Sequence, residues 1–481
     1  MNHLNLQRLG PPRRAVCLAG LLALAAGLSP LPAAAQKAPA TPAAKATARQ
    51  SFIPWEIKTA TLPNGLTVVR VPFDSKGLVA WQTVVRVGSR NEVEKGRTGF
   101  AHFFEHMMFR GTPKFPAGER ERIMGRYGFH DNAFTTDDFT VYHSYGPTAA
   151  LEQLIELEAD RFQNLQYAEP AFQTEARAVL GEYHKSASRP ELKLEETLLA
   201  TAYTQHTYRH TTLGYYEDIQ GMPKLFDYSR TFFERWYTPD NTTLVVVGDF
   251  DDAKLMAAIE KHYGPWQGKT ATVAIPKEPA QRELRSAKVE WKGPSLPRHV
   301  FAWHTPAARL DTLDAAAQEV LAQYLVGPTS ELHKKLVLDE QILESVNSSW
   351  YPHRDPFLFT MEARLKDEKH RARAHAAFNQ AIRAIVSGKV DAARVEAIKG
   401  NLRYGFLMEL ESADQVAGQL AWFIGIYGSP DALERHFANL QKVTARDLQN
   451  FVQRHMHARN RTELTLVTVP PSEAKSEGGA Q

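Results

Sequence analysis

The sequence predicts an α+β chain of two homologous domains, each an antiparallel-rich mixed sheet packed with helices. Three observations predict it. Strand-like and helical runs are mixed without a regular βαβ rhythm. The stretch Phe232 to Leu244 is echoed at Phe451 to Leu464 with one inserted residue, and both read as a helix, a turn and a closing strand. That echo points to one fold duplicated. At 481 residues the chain is long enough to bury two cores.

The elements follow in order. Residues 1–35 read as a signal peptide: Arg8, Arg13 and Arg14 precede an apolar run from Ala15 to Leu28, and Ala33–Ala35 offers a cleavage site before Gln36. The run has 14 residues, against about 20 for a membrane span, so no stable anchor is expected. Arg13-Arg14 hints at twin-arginine export, but the residues after it fit poorly, and Cys17 follows a poor lipobox. Export to a periplasm, or secretion, is the expected outcome. Residues 36–51 form an Ala/Pro/Lys leader. The first domain is expected at 52–267, a Pro- and charge-rich linker at 268–287, the second domain at 288–470 and a polar tail at 471–481. In the first domain strands are predicted at Leu66–Val71, Val79–Val87, Phe139–Tyr145 and Thr243–Val247. Helices are predicted at Phe100–Phe109, Ala149–Gln163, Ala171–Lys185 and Leu225–Trp236.

Charge and cysteine content exclude several functions. Removing residues 1–35 takes away three Arg and leaves 54 basic against 54 acidic side chains. Such a balance gives no argument for nucleic acid or an anionic membrane as partner. The only cysteine, Cys17, lies in the removed segment, so a metal site must use imidazoles and carboxylates.

One such set is present. His102, Glu105 and His106 stand as His-x-x-Glu-His in a segment that reads as a helix, with Thr98 as N-cap, Gly111 as stop, and Phe100, Phe104, Met107 and Met108 as its buried stripe. At roughly 100° per residue the three polar side chains fall within about a 100° arc. Two imidazoles one turn apart can grip one ion, and Glu105 projects beside it, where it can take a proton from water. A bare pair of histidines is weak evidence. His206 and His210 form such a pair without an intervening Glu, in a polar loop, and are read as structural, as are His130 and His143. A third ligand is sought on a second helical stretch. Glu182 lies 76 positions after His106 and seven after Glu175, on a face beside that of Phe172, Ala176 and Val179. Paired carboxylates at that spacing are commonly a solvated face. Next to two histidines that lack a third ligand, Glu182 is the best donor and Glu175 can orient a ligand histidine from behind. His184 is a rival donor, but its side chain points about 160° away from that of Glu182.

These motifs resemble the pitrilysin/insulinase family of zinc metallopeptidases, to which the mitochondrial processing peptidases and their bacterial relatives belong. The resemblance covers nearly all the chain after its first fifty residues. It rests also on Leu62–Val69, similar to the family's opening hairpin, on Asn132–Tyr142, similar to its edge strand beside the metal, and on Tyr237–Asp249, similar to its closing strand. The resemblance implies a zinc endopeptidase with one Zn2+ per chain. His102, His106 and Glu182 would be ligands, Glu105 the general base and Glu175 their support. The strand at Asn132, Ala133 and Phe134 would pair with an extended peptide substrate by main-chain hydrogen bonds. The same segment also reads as an ordinary edge strand.

One departure matters. After Ser330-Glu-Leu332, single-chain and homodimeric relatives carry an Arg and, seven residues on, a Tyr that contact the substrate backbone. Here those positions hold Val337 and Glu344. Valine cannot donate a hydrogen bond, and a carboxylate repels a developing oxyanion. The resemblance therefore implies a related chain as partner, supplying the pair in a heterodimer, or else a homodimer, with this chain as half of a clamshell. The competing functions are a non-catalytic or substrate-binding subunit of a peptidase complex, and a maturation protease dedicated to one peptide.

Overall fold

The structure, a computed structural model, describes residues 52–469. The signal peptide, the leader and the polar tail expected from the sequence lie outside the described residues. Two sheets organise the rest. The first contains β1 (Lys58–Thr61), β2 (Thr67–Pro72), β3 (Leu78–Val85), β4 (His130–Thr135), β5 (Thr140–Pro147) and β6 (Thr242–Gly248), in the order β1-β2-β6-β3-β5-β4. The second contains β7 (Arg285–Lys292), β8 (Arg298–Thr305), β9 (Leu343–Ser349), β10 (Phe357–Leu365) and β11 (Arg461–Val469), in the order β7-β11-β8-β10-β9.

The duplication is visible strand by strand. In the first sheet β2 pairs in parallel with β6, and the β6-β3, β3-β5 and β5-β4 pairs are antiparallel. In the second, β7 pairs in parallel with β11, and the β11-β8, β8-β10 and β10-β9 pairs are antiparallel. Each half thus runs through the same five strands in the same order, and the first adds β1 through the hairpin at Asn64-Gly65. Gly65 sits at φ 96°, and a Cβ there would lie 2.9 Å from that of Asp240, so the turn requires glycine.

The strands form where apolar and β-branched residues cluster. Val68, Val69 and Val71 of β2 and Val245 to Val247 of β6 are buried on both faces, as the centre of a covered sheet demands. The predicted first-half runs appear within a few residues of their expected places. Asn132–Tyr142 is the exception. It is a hairpin, in which β4 ends at Thr135, β5 starts at Thr140, and Thr136 Oγ1 accepts from the backbone N–H of Asp138 and Phe139 to make the turn.

Each half lends a helix to the other's sheet. The helix Pro190–Ala202 packs on β7 and β11, where Leu194 joins Val289, Val300, Leu464 and Leu466. The helix Ala413–Tyr427 packs on β3 and β6. Ser412 caps it by accepting from the Gln415 N–H, and Gly428 ends it at φ 71°. Its Trp422 meets Phe139 edge to face at 5.2 Å, and Arg86 donates to the Gly425 and Ile426 carbonyls. The described residues from Ile53 to Val469 accordingly form one compact unit.

Candidate active site

The helix carrying the pentapeptide spans Phe100–Met107. Phe100, Phe103, Phe104 and Met107 are fully buried, and Phe104 stacks on Phe232 with the rings 7° apart at 5.6 Å. That stripe fixes the helix, and its other side carries His102, Glu105 and His106. Two expectations about its ends are corrected. The N-cap is Gly99 in the left-handed region at φ 88°, and the cap comes from Glu92, whose buried carboxylate accepts from the Gly99 and Ala101 N–H groups at 2.7 and 2.8 Å. Thr98 instead turns its hydroxyl to Asp218. The helix ends at Met107, so Gly111 closes the turn that follows it. Burial pushes the Glu92 carboxyl up to about 8, against the pull of those backbone donors.

The second helix spans Glu169–Ala187. Phe172, Ala176 and Val179 bury it against the first, with Phe172 5.0 Å from Phe103 ring to ring. Glu175 is carried into the core on that side, only 2 % exposed, and Glu182 follows two turns later, part-exposed.

The structure brings the sequence-selected donors together. His102 Nε2 lies 3.4 Å, and His106 Nε2 3.6 Å, from Glu182 Oε2. The edge of a tetrahedron with ligands at 2.0–2.1 Å from its centre is roughly 3.3–3.4 Å, so the donor set fits zinc. His106 Nδ1 lies 2.9 Å from Glu175 Oε1, an acceptor that places the proton of the neutral ring on Nδ1 and so would leave the lone pair on Nε2 for a metal. Arg110 donates to the other oxygen of Glu175. Electrostatics favour positive charge here. The adjacent His102 imidazole, then that of His106, holds the Glu182 carboxyl well below the usual carboxylate range. Burial alone would depress the His106 imidazole, but Glu175 and Glu182 outweigh it and raise it to about 10. Protons or a dication satisfy the same demand.

Other groups find other places. Glu105 accepts a hydrogen bond from Thr135 Oγ1 at 2.7 Å, which ties it to β4. Asn132, Ala133 and Phe134 lie on β4, which pairs only with β5 and so forms the edge of the first sheet. His184 is exposed on the far side of its helix and packs against Tyr216. His206 and His210 are buried. His206 Nδ1 accepts from the Tyr208 N–H and its Nε2 lies 3.0 Å from Asp355, joining the two halves. Val337 sits in the short π-helix Lys334–Asp339, and Glu344 on the edge strand β9, 2.8 Å from Arg364.

Three residues escaped the sequence reading. Arg110 stands one turn after His106 on the same side, a spacing that could have found it. Thr135 directly follows the assigned trio on β4. Glu92 lies in a loop, and no local pattern marks it.

These features define a class: duplicated α+β chains with one two-imidazole, one-carboxylate centre in the first of two like halves. Comparison with known proteins supplies the family. Residues 73–215 match the family described as Insulinase (Peptidase family M16), and residues 226–402 match Peptidase M16 inactive domain. The chain is 30% identical over 401 residues to Zinc protease PqqE of Helicobacter pylori, covering 82% of this chain and 89% of that protein. The crystal structure of a protease from Helicobacter pylori superposes with a TM-score of 0.80 at 27% identity, over 86% of this chain and 99% of that one. A putative M16-like peptidase from Alicyclobacillus acidocaldarius shares the fold at a TM-score of 0.77 and 20% identity, over 87% of this chain and 99% of that one. This chain belongs to the insulinase family, peptidase family M16.

Proposed function

We propose that the chain is a zinc-dependent endopeptidase of peptides or short unfolded segments, exported to a periplasm or secreted after cleavage at Ala35. The observation that carries this is the convergence of His102, His106 and Glu182 beside Glu105 and the free edge of β4. The names of zinc proteases among the relatives support the choice of metal. His102, His106 and Glu182 would hold one Zn2+. Such an ion supplies Lewis acidity, lowering the pKa of water toward about 7 and polarising a carbonyl.

The chain's own residues do the rest. Glu175 orients His106 for ligation, and Arg110 holds Glu175. Glu105 is the general base. The Thr135 hydroxyl on Oε2 steadies it, and its carboxylate takes up a proton during attack on the peptide bond. The outer edge of β4 at Asn132, Ala133 and Phe134 would receive an extended peptide as an added strand, largely indifferent to its side chains. Val337 and Glu344 provide no cationic or phenolic donor. The proposal therefore includes a second, related chain that brings an Arg/Tyr pair and closes the clamshell, or a homodimer.

A non-catalytic subunit is the competing reading, since the 226–402 match is to a domain described as inactive. Metal analysis and peptide cleavage by the mature protein, with and without a co-expressed relative, separate the two. Glu105→Gln should keep zinc and lower kcat about 10²–10⁴-fold. Undiminished turnover by that variant removes the general-base role, and absence of zinc from the unaltered protein removes the peptidase reading.

A further inference from the structure

We propose that His299, His375 and Glu463 form a second site for a divalent zinc-type ion, in the second half of the chain and independent of the catalytic reading. His299 stands on β8 and Glu463 on the neighbouring β11. Thr465 faces His299 across the ladder, so Glu463, two residues earlier, shares its side of the sheet. The helix Arg371–Val386 lies over that side and brings His375. Ligand atoms of the three all lie within 4.8 Å of one another, and His375 Nε2 is 3.6 Å from Glu463 Oε1. That separation equals one in the first centre, and the donor set is the same: two imidazoles and a carboxylate.

A second observation points to a missing ligand. His299 is 3 % exposed, and both of its ring nitrogens are buried without a hydrogen-bond partner among the described residues. A buried imidazole with neither nitrogen satisfied is costly, and a metal bond answers that cost. The ring meets His375 edge to face at 5.4 Å, so the two imidazoles already crowd one spot. The His375 side chain is 41 % exposed, which gives an ion a route in and leaves a coordination position for water.

Two guanidiniums stand nearby and oppose a cation, but both are engaged. Arg371 donates to the Arg298 and Leu466 carbonyls. Arg461 donates to Asn379 Oδ1 at 2.8 Å, lies over the Phe301 ring at 4.3 Å, and contacts Glu463 Oε1 at 2.5 Å. A carboxylate has about four lone-pair positions over two oxygens, so Glu463 can serve an arginine and an ion together. The site is no remnant of the duplicated first centre. That centre lies on two helices, whereas β8 and β11 correspond to β3 and β6.

Zinc stoichiometry of the full mature chain tests this. Metal-free protein would be titrated with Zn2+ alone, with bound zinc measured per chain and thermal unfolding followed. The unaltered chain should bind two equivalents, His375→Ala one, the double variant His102→Ala/His106→Ala one, and the triple variant none. Zinc should raise the unfolding temperature of the double variant and leave that of the triple variant unmoved. His375→Gln, which keeps the helix and a polar side chain, should behave as His375→Ala. Equal zinc content in His375→Ala and the unaltered chain, or none in the double variant, overturns the proposal. Loss of the first centre alone would show as zinc retained by the double variant and lost on the further change at His375.

Discussion

Replacing Glu175 tests how the first centre is held. Its two oxygens have separate tasks: Oε1 accepts from His106 Nδ1 at 2.9 Å, and Oε2 accepts from Arg110. In Glu175→Gln the amide oxygen can still face His106, while the amide nitrogen faces a guanidinium. The Arg110 side chain is 49 % exposed and can turn to water, so little folding stability should be lost. What goes is the negative charge behind the ligand histidine. Groups in this position are worth about 10–100-fold in metal affinity, or roughly 1.4–2.7 kcal/mol. Glu175→Gln should fall near the tenfold end. Glu175→Ala should fall near the hundredfold end, because it also leaves Nδ1–H unpaired and the ring unanchored. Competition with a chelator of known zinc affinity gives the dissociation constants, and circular dichroism checks the fold. Unchanged zinc affinity in both variants would refute the reasoning, since a buried acceptor 2.9 Å from a ligand ring would then contribute nothing to it.

Thr135→Val removes the donor to Glu105; kcat should drop about tenfold with KM nearly constant, and Thr135→Ser should restore it. A parallel fall in kcat and rise in KM would mean that β4 itself had shifted. Gly425→Ala sets helix propensity against packing. Alanine gains up to about 1 kcal/mol in a helix, but its Cβ would lie 2.4 Å from the Phe139 ring, and overpacking costs about 1–3 kcal/mol. The urea midpoint should therefore fall, and a rise would show that the interface between the halves is looser than it looks. His353 ties the halves by a contact of 3.0 Å to Asp137. Burial opposes its charge, yet Asp137 and Asp138 raise its pKa above 6.5. Its contribution to stability is thus complete below pH 6.5 and is lost as pH climbs through the raised value. The melting-temperature difference between the unaltered chain and His353→Gln should shrink from pH 6 toward pH 9; a constant gap would mean that the imidazole is neutral throughout.

Local regularities made much of the site legible. His102, Glu105 and His106 share a helix face, and Glu175 and Glu182 are seven apart, so helical geometry alone aligns each set. What joins the sets is tertiary; the sequence links them only through the need of two histidines for a third ligand, together with the family resemblance. Local pattern suggests Thr98 as the cap of the first helix, but Glu92 arrives from a loop and displaces it. The segment Asn132–Tyr142 resembles a single edge strand of the family, but it is a hairpin whose turn closes through the backbone N–H and the hydroxyl of Thr136. His206 reads as structural in a polar loop, but its partner is out of reach of local pattern: in space it meets Asp355, 149 positions away. The cluster of His299, His375 and Glu463 has no sequence signature at all, since its members come from two strands and a helix far apart.

The traded helices Pro190–Ala202 and Ala413–Tyr427 bear on how such a chain can be cut. Expressed by itself, either half would leave an oily sheet bare where its sibling's helix belongs, inviting aggregation. A protease nicking the stretch between them, by contrast, would sever the covalent tether and leave the fragments clasped. A single chain thus guarantees equal supply of two halves that each need the other as a lining.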